Sequence, residues 1–252
     1  MDAVATLKEK MQSLAKTDKE WKLYYWPGMP GRGEFMRLLL EETGTPYEDV
    51  FFGMDWKDVG EINYQPGKFF FALPVMQHRD LFISQTPVIV RYMAKRLDNK
   101  RLYPATLPER LEAETLMAGL VDLVAEGHDA WHPIDKNASY VSQREQAQPF
   151  IDYYCSRRLP KWFAFFEAAL QRNNEGKKEE EELYFVGKGL SYVDLCAFHV
   201  LCGIEFQCGE TYAKLEAPLL KRLKEQIGAR ERIHRYMQSP QRTSFTGTGP
   251  LF

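Results

Sequence analysis

Apolar residues in the first hundred positions come in short bursts separated by glycine, proline and polar residues, and each burst has a readable period. Trp21–Trp26 reads as an aromatic-rich strand, followed by a Gly/Pro-rich loop from Pro27 to Gly33. Phe35, Met36, Leu38, Leu39 and Leu40 then recur at helical spacing up to Gly44, a suitable residue for a helix C-terminus. Tyr47–Phe52 is strand-like again, and a polar segment around Trp56 leads to Leu73–Pro74. From there two short strands are predicted, joined by a turn at His78–Asp80. The polar step Ser84-Gln85-Thr86-Pro87 then opens an amphipathic helix to Leu97. The predicted order is β-α-β, a short irregular or helical element, then β-β-α.

The pattern changes after Asp98–Lys100. A helix from Pro108, with clear periodicity over Leu111–His132, is followed by helical segments at Ser142–Arg172, Ser191–Phe206, Pro218–Ile227 and Arg230–Gln238. The Lys/Glu run Asn173–Glu182 is the one low-complexity stretch and reads as a solvated loop. These patterns divide the chain into an N-terminal extension (1–20), an α/β domain (21–98) and an all-helical domain (107–252), with no internal repeat.

Composition narrows the class. A length of 252 residues suits two domains, and 44% hydrophobic residues supply a core for both. A formal charge of −2 gives no footprint for nucleic acid. Cys155, Cys196, Cys202 and Cys208 form no CxxC pair, which argues against a zinc site and a disulfide framework and for a reducing compartment. The N-terminus lacks an apolar signal region and no run is long enough to span a bilayer, so a soluble cytoplasmic protein with no membrane partner is expected.

Two features converge on one candidate pocket. A proline at the start of a strand cannot donate to a ladder, and a cis Leu73–Pro74 peptide would turn the Leu73 backbone toward a ligand. Ser84–Pro87 offers free N–H groups at a helix N-terminus, where an anion is stabilised. Together they suggest a site for a small peptide-like anion. Tyr24 and Tyr25 end the first strand, and strand alternation points only one of them at that pocket. A phenol of pKa ~10 is a poor base at neutral pH, but its O–H can donate to a thiolate. Lowering a thiol's pKa by ~2 units takes ~2.7 kcal/mol, within reach of one charged hydrogen bond and a helix N-terminus. Ser191-Tyr192-Val193-Asp194 has capping-box spacing and is read as structural.

Four motifs in order resemble the cytosolic glutathione transferases of the tyrosine type, the sigma, pi, mu and alpha group. They are Tyr25-Trp26 with Gly31-Arg32 and Arg37-Leu38-Leu39-Leu40, then Ala72-Leu73-Pro74-Val75, Gln85-Thr86, and the Ser191-x-x-Asp194 box. The resemblance covers about Lys22 to Ser239. It implies a thioredoxin-like α/β domain followed by an all-α domain. It also implies that Tyr25 donates its hydroxyl to the glutathione sulfur, with Arg32 beside it. Trp56 would lie near the glycyl end, Leu73 and Pro74 at the cysteinyl unit, and Gln85 and Thr86 at the γ-glutamyl end. Asp129, with Glu126 as the competing residue, would reach a partner subunit's glutathione.

Departures from the family pattern are a longer loop before Arg32, with Pro30 as the extra residue, Ala72 in place of an amide, and Thr86 in place of serine. Lys57 and Lys68 are candidates for the glycine carboxylate. The first half holds no cysteine, and no serine lies between Trp21 and Ile83, which leaves tyrosine as the residue that activates sulfur.

The resemblance implies a homodimeric detoxification enzyme that uses glutathione as co-substrate, without a metal, and conjugates it to small apolar electrophiles. Trp26, Met29 and Pro30 would line the substrate side, with Trp131 opposite. A glutathione-dependent isomerase and a non-catalytic structural or interaction protein are the competing expectations.

Overall fold

The computed structural model describes residues 19–63, 70–97, 101–178 and 180–246. The expected extension lies almost wholly outside the described residues, as does Lys68. Four strands form one sheet: β1 (Trp21–Tyr24), β2 (Tyr47–Asp49), β3 (Val75–His78) and β4 (Leu81–Ser84), in the order β2-β1-β3-β4. β2 runs parallel to β1, whereas β3 is antiparallel to both β1 and β4. The parallel pair needs a crossover, which α1 (Glu34–Thr43) supplies. Its Phe35, Met36, Leu38, Leu39 and Leu40 are all buried, and Gly44 closes it at φ +66°. β2 is shorter than the pattern predicts. Phe51 turns into the core, and Phe52 and Met54 close hydrogen-bonded turns onto Asp49 and Phe51. The polar segment forms α2 (Trp56–Asn63), and α3 (Thr86–Arg96) packs on α1 to complete a thioredoxin-like domain.

Among the described residues the second domain is built of helices joined by loops. Its first helix, α4 (Leu107–Trp131), begins earlier than its periodicity indicates because Thr106 and Glu109 close a capping box. The segment predicted as one helix over Ser142–Arg172 is interrupted: α5 (Arg144–Tyr153) passes through a π turn at Tyr154–Arg158 into α6 (Leu159–Asn173). Pro160 supplies no N–H to continue the regular ladder, and the Leu159 N–H bonds Tyr154 O, five residues back. α7 (Tyr192–Gln207) is buried on nearly every side and packs against α1, α4 and α9 (Pro218–Gly228). The short α8 (Gly209–Lys214) and α10 (Glu231–Met237) complete the domain.

Polar contacts register the two domains. Glu34, fully buried at the start of α1, receives Arg242 at 2.7 Å, Tyr236 Oη at 3.1 Å and Arg37 at 3.3 Å. Arg37 also meets Asp49 at 2.7 Å, and Arg230 holds Glu42 through two hydrogen bonds of 2.6 and 3.1 Å. His199 on α7 shares a 2.9 Å hydrogen bond with Gly31 O in the other domain.

The Ser191 box is closed as predicted. The buried Asp194 carboxylate accepts from the Ser191 N–H at 2.7 Å, the Ser191 hydroxyl at 2.8 Å and the Phe185 N–H at 2.8 Å. Ser191→Ala is therefore expected to lower stability by about 0.5–2 kcal/mol in chemical denaturation, the usual cost of a lost N-cap. Any activity per folded molecule should be unchanged, and an unaltered unfolding midpoint would show that the cap does not stabilise this helix.

Candidate functional site

A cleft of about 1230 Å³ opens between the domains. Its floor begins at Tyr25. Tyr24 turns into the core and donates to Gln77 Oε1 at 2.7 Å, while Tyr25, one residue on, faces the cleft. The Tyr25 hydroxyl accepts the Arg32 N–H at 2.7 Å and so keeps its own hydrogen for donation. That bond requires the chain to approach closely. A Cβ on Gly31, at φ +42°, would fall 2.3 Å from the Tyr25 hydroxyl, and one on Gly33 would fall 2.6 Å from the ring. Burial pushes the Tyr25 phenol up. The Arg32 N–H, the Arg32 and Arg37 guanidiniums and the Gly33 N–H oppose that rise. The phenol is consequently neutral at pH 7 and able to donate to an anion.

The second wall is the Leu73–Pro74 turn, whose peptide is cis. The third is the start of α3. Gln85 precedes that helix at φ +72°, a conformation unusual for a residue with a side chain and one often found beside binding sites. Its carbonyl accepts from the Val88 and Ile89 N–H groups at 2.9 and 3.0 Å, and the buried Thr86 lines the cleft beside it. Trp26 and Trp56 stack at 5.1 Å and 10° along the rim, with Met29 close by in the lining. These two tryptophans, expected at the glycyl end and on the substrate side, form one aromatic plate. Lys57 is exposed on α2 and does not line the cleft.

The helical domain's wall corrects one expectation. Trp131 does not face the cleft: it is buried and packs edge-on against Tyr154 at 6.0 Å. Ala125, His128, Asp129 and His132 line it instead, at the i, i+3, i+4, i+7 spacing of one helix face, while Trp131 continues the buried face of Leu120, Val124 and Gly127. His128 and His132 stack at 4.7 Å, and their i, i+4 spacing is a signal visible in the sequence itself. Burial, then the neighbouring His132 and Arg32, hold His128 down at about 4, so this wall presents uncharged imidazole. Asp129 faces its own chain's cleft and pairs with Lys136 at 2.7 Å. Glu126, pointing elsewhere on α4, is held by Arg158 through two hydrogen bonds of 2.6 and 2.7 Å. Among the described residues no cluster of three or more His, Cys, Asp or Glu side chains could hold a metal, and no helix is long and apolar enough to cross a membrane.

The cleft thus offers a neutral phenol donor, a guanidinium, an open backbone turn and a helix N-terminus. That combination suits a sulfur anion carried on a small peptide-like acid. Residues 20–95 match the family model described as glutathione S-transferase, N-terminal domain, and residues 128–240 match glutathione S-transferase, C-terminal domain. The chain belongs to the glutathione S-transferase family. Members of this family of enzymes use glutathione as substrate. A glutathione S-transferase of Plasmodium falciparum is 28% identical over 218 residues, covering 85% of this chain and 93% of that relative. A putative glutathione S-transferase alpha-5 of Dictyostelium discoideum is 27% identical over 225 residues, 88% of this chain and 98% of its own. The pi-class glutathione S-transferase of Onchocerca volvulus shares the fold at a TM-score of 0.69 and 22% identity, over 87% of this chain and 92% of that one. A rat hPGDS complexed with a quinoline does so at 0.69 and 20%, over 89% and 99%.

The histidines of this transferase give a pH prediction. Burial holds His199 down at about 3, well under the ordinary histidine value of 6.5. As pH falls below 6.5 the unfolded chain takes up protons that the folded chain refuses, so stability is lost toward acid. His199 alone contributes a slope of about 1.4 kcal/mol per pH unit until its folded value is reached. Above pH 6.5 the contribution is full. Asp194, pushed up to about 6 by burial from 3.8, acts in the opposite sense between those two values. The readout is therefore the imidazole NMR titration of His128 and His199, both expected to stay neutral down to pH 5. Titration of His199 near pH 6 would contradict its burial against Gly31.

Proposed function

We propose that this glutathione S-transferase activates glutathione as a thiolate at Tyr25 and conjugates it to small apolar electrophiles. The observation that carries the reading is the Tyr25 hydroxyl, which faces the cleft, takes the Arg32 N–H and keeps its own hydrogen to donate. With the peptide bound, the phenol O–H would donate to the sulfur and Arg32 would add positive charge beside it. Leu73, at the cis-proline turn, would meet the cysteinyl backbone, and Gln85 and Thr86 the γ-glutamyl end. Trp56 would cover the glycyl end. Trp26 and Met29 would contact the electrophile, with His128 and His132 opposite in the place expected for Trp131. The domain limits that go with this reading are 21–98 for glutathione binding and 107–252 for the electrophile. Four free cysteines fit a cytoplasmic setting, and detoxification is the role this chemistry would serve.

Titration calorimetry with glutathione, followed by turnover with several electrophile classes, tests the reading. Tyr25→Phe is expected to bind glutathione as the wild type does. Its turnover at neutral pH should fall about 10–150-fold, the equivalent of a charged hydrogen bond of about 1.5–3 kcal/mol. Tyr24→Phe is expected to keep turnover and lose about 1 kcal/mol of stability, because its hydroxyl serves the core. The reverse outcome would overturn the assignment, and binding without turnover toward any electrophile would favour a non-catalytic role.

We further propose a homodimer in which an acidic side chain of α4 serves the partner's glutathione. A carboxylate lent in this way must leave its own cleft. Asp129 lines its own cleft, whereas Glu126 is half-buried on another face of α4 beside Arg158. Glu126 is therefore favoured over Asp129. Light scattering over a dilution series is expected to show dimers, and Glu126→Gln to raise the KM for glutathione more than Asp129→Asn does. A micromolar monomer that still turns over glutathione would rule the arrangement out.

A further inference from the structure

Two sulfurs meet at the joints of the helical domain, away from the cleft. Cys155 lies in the π turn between α5 and α6, and Cys208 ends α7. Their Sγ atoms are 3.6 Å apart, although the residues are 53 positions apart in sequence. Both are free thiols; Cys155 is partly exposed and Cys208 is buried. We propose that Cys155 and Cys208 form a dithiol site that hydroperoxides oxidise to a disulfide and small thiols reduce again.

The local backbone suits such a step. A disulfide needs its sulfurs at about 2.05 Å, a closure of about 1.5 Å from the present contact. Both cysteines stand at joints. The π turn sets Cys155 off the regular helical repeat, and Cys208 links α7 to the short α8 at φ −123° and ψ 40°. Side-chain rotation together with small adjustments at these joints supplies the closure without unwinding a helix.

The two thiols are also unequal. Hydrogen bonds from Cys208 and Thr211 hold the Cys155 thiol below its usual value, against burial and the Asp152 charge. The bond to Cys155 and burial push Cys208 up. Burial pushes Cys202 up to about 12, and Cys196 also lies well above the ordinary range.

The chemistry runs in two balanced steps. The Cys155 thiolate attacks the peroxide; an S–O bond forms, the O–O bond breaks, and the leaving alkoxide takes a proton to become an alcohol, or water if the reagent is hydrogen peroxide. Cys208 then attacks the Cys155 sulfenic acid, the S–S bond forms, and the sulfenic oxygen leaves as water with the Cys208 proton. The sulfurs lose two electrons and the peroxide gains them. Two equivalents of a small thiol reverse the change, leaving as their own disulfide.

Peroxide treatment of the reduced full chain, followed by alkylation and non-reduced peptide mapping, tests the proposal. The expected product has lost two hydrogens and carries one cross-linked peptide joining Cys155 to Cys208, which excess thiol restores. Cys155 is expected to react about tenfold faster than Cys202, as its lower pKa requires. In Cys208→Ser, Cys155 is expected to accumulate as a sulfenic acid trapped by a 1,3-dione; in Cys155→Ser, Cys208 should stay reduced. The wild-type peptide map decides even if a variant fails to fold. Oxidation of Cys155 to sulfinic acid without the cross-link, or loss of all four thiols at one rate, would overturn the proposal.

Discussion

The turn from Pro30 to Gly33 has to lie flat against the Tyr25 ring, and the cleft depends on that contact. Three groups from different parts of the fold hold it there. The Tyr25 hydroxyl takes the Arg32 N–H, the Arg37 guanidinium on α1 donates to Pro30 O at 3.1 Å, and His199 on α7 meets Gly31 O. The hydrogen bonds fix the position of the turn, and its glycines make the approach sterically possible. A phenol in that setting is buried, neutral and turned to the cleft. In water the same group would spread its donor over many orientations.

The turn is secured in turn by charge buried under α1. Glu34 gathers Arg37, Arg242 and Tyr236, so one carboxylate ties the start of α1 to the C-terminal segment. Such a cluster adds little net stability compared with an apolar core, but removing one member leaves an uncompensated charge and costs about 3–5 kcal/mol. What it contributes is register. Arg242 also lies 5.0 Å from the ring of Phe245, which stacks beside His199 and lines the cleft. The C-terminal segment, the α1 network and the Pro30–Gly33 turn therefore form one connected cluster.

Much of this was legible in the residue pattern, because each signal was local. Gly44, the Pro74 turn, the Gln85-Thr86 helix start and the Ser191 box depend on chemistry within a few residues, and the alternation of Tyr24 and Tyr25 follows from strand geometry. What escaped was set by tertiary packing. Trp131 looks like a wall of the substrate site only until the face of α4 is known, and packing against Tyr154 decides that face. His199 and Arg242 carry no local mark of their role, since their partners lie more than 160 positions away. The π turn was hinted at by Pro160, but proline at the start of a helix is common, and only the observed backbone shows a widened turn there.

The His199–Gly31 contact bears on how far the two halves can be exchanged. An imidazole from the helical half holds the loop that packs on the Tyr25 phenol of the other half, so the floor of the cleft is shared property. A chimera that grafts the first half of this chain onto another protein's helical half would keep Tyr25, Arg32, Leu73, Gln85 and Thr86, the first-half part of the cleft lining. It would still misplace the hydroxyl unless the new scaffold brought an N–H donor to Gly31 O. Modularity of sequence is therefore not modularity of structure in this fold: the seam between the halves itself shapes the cleft.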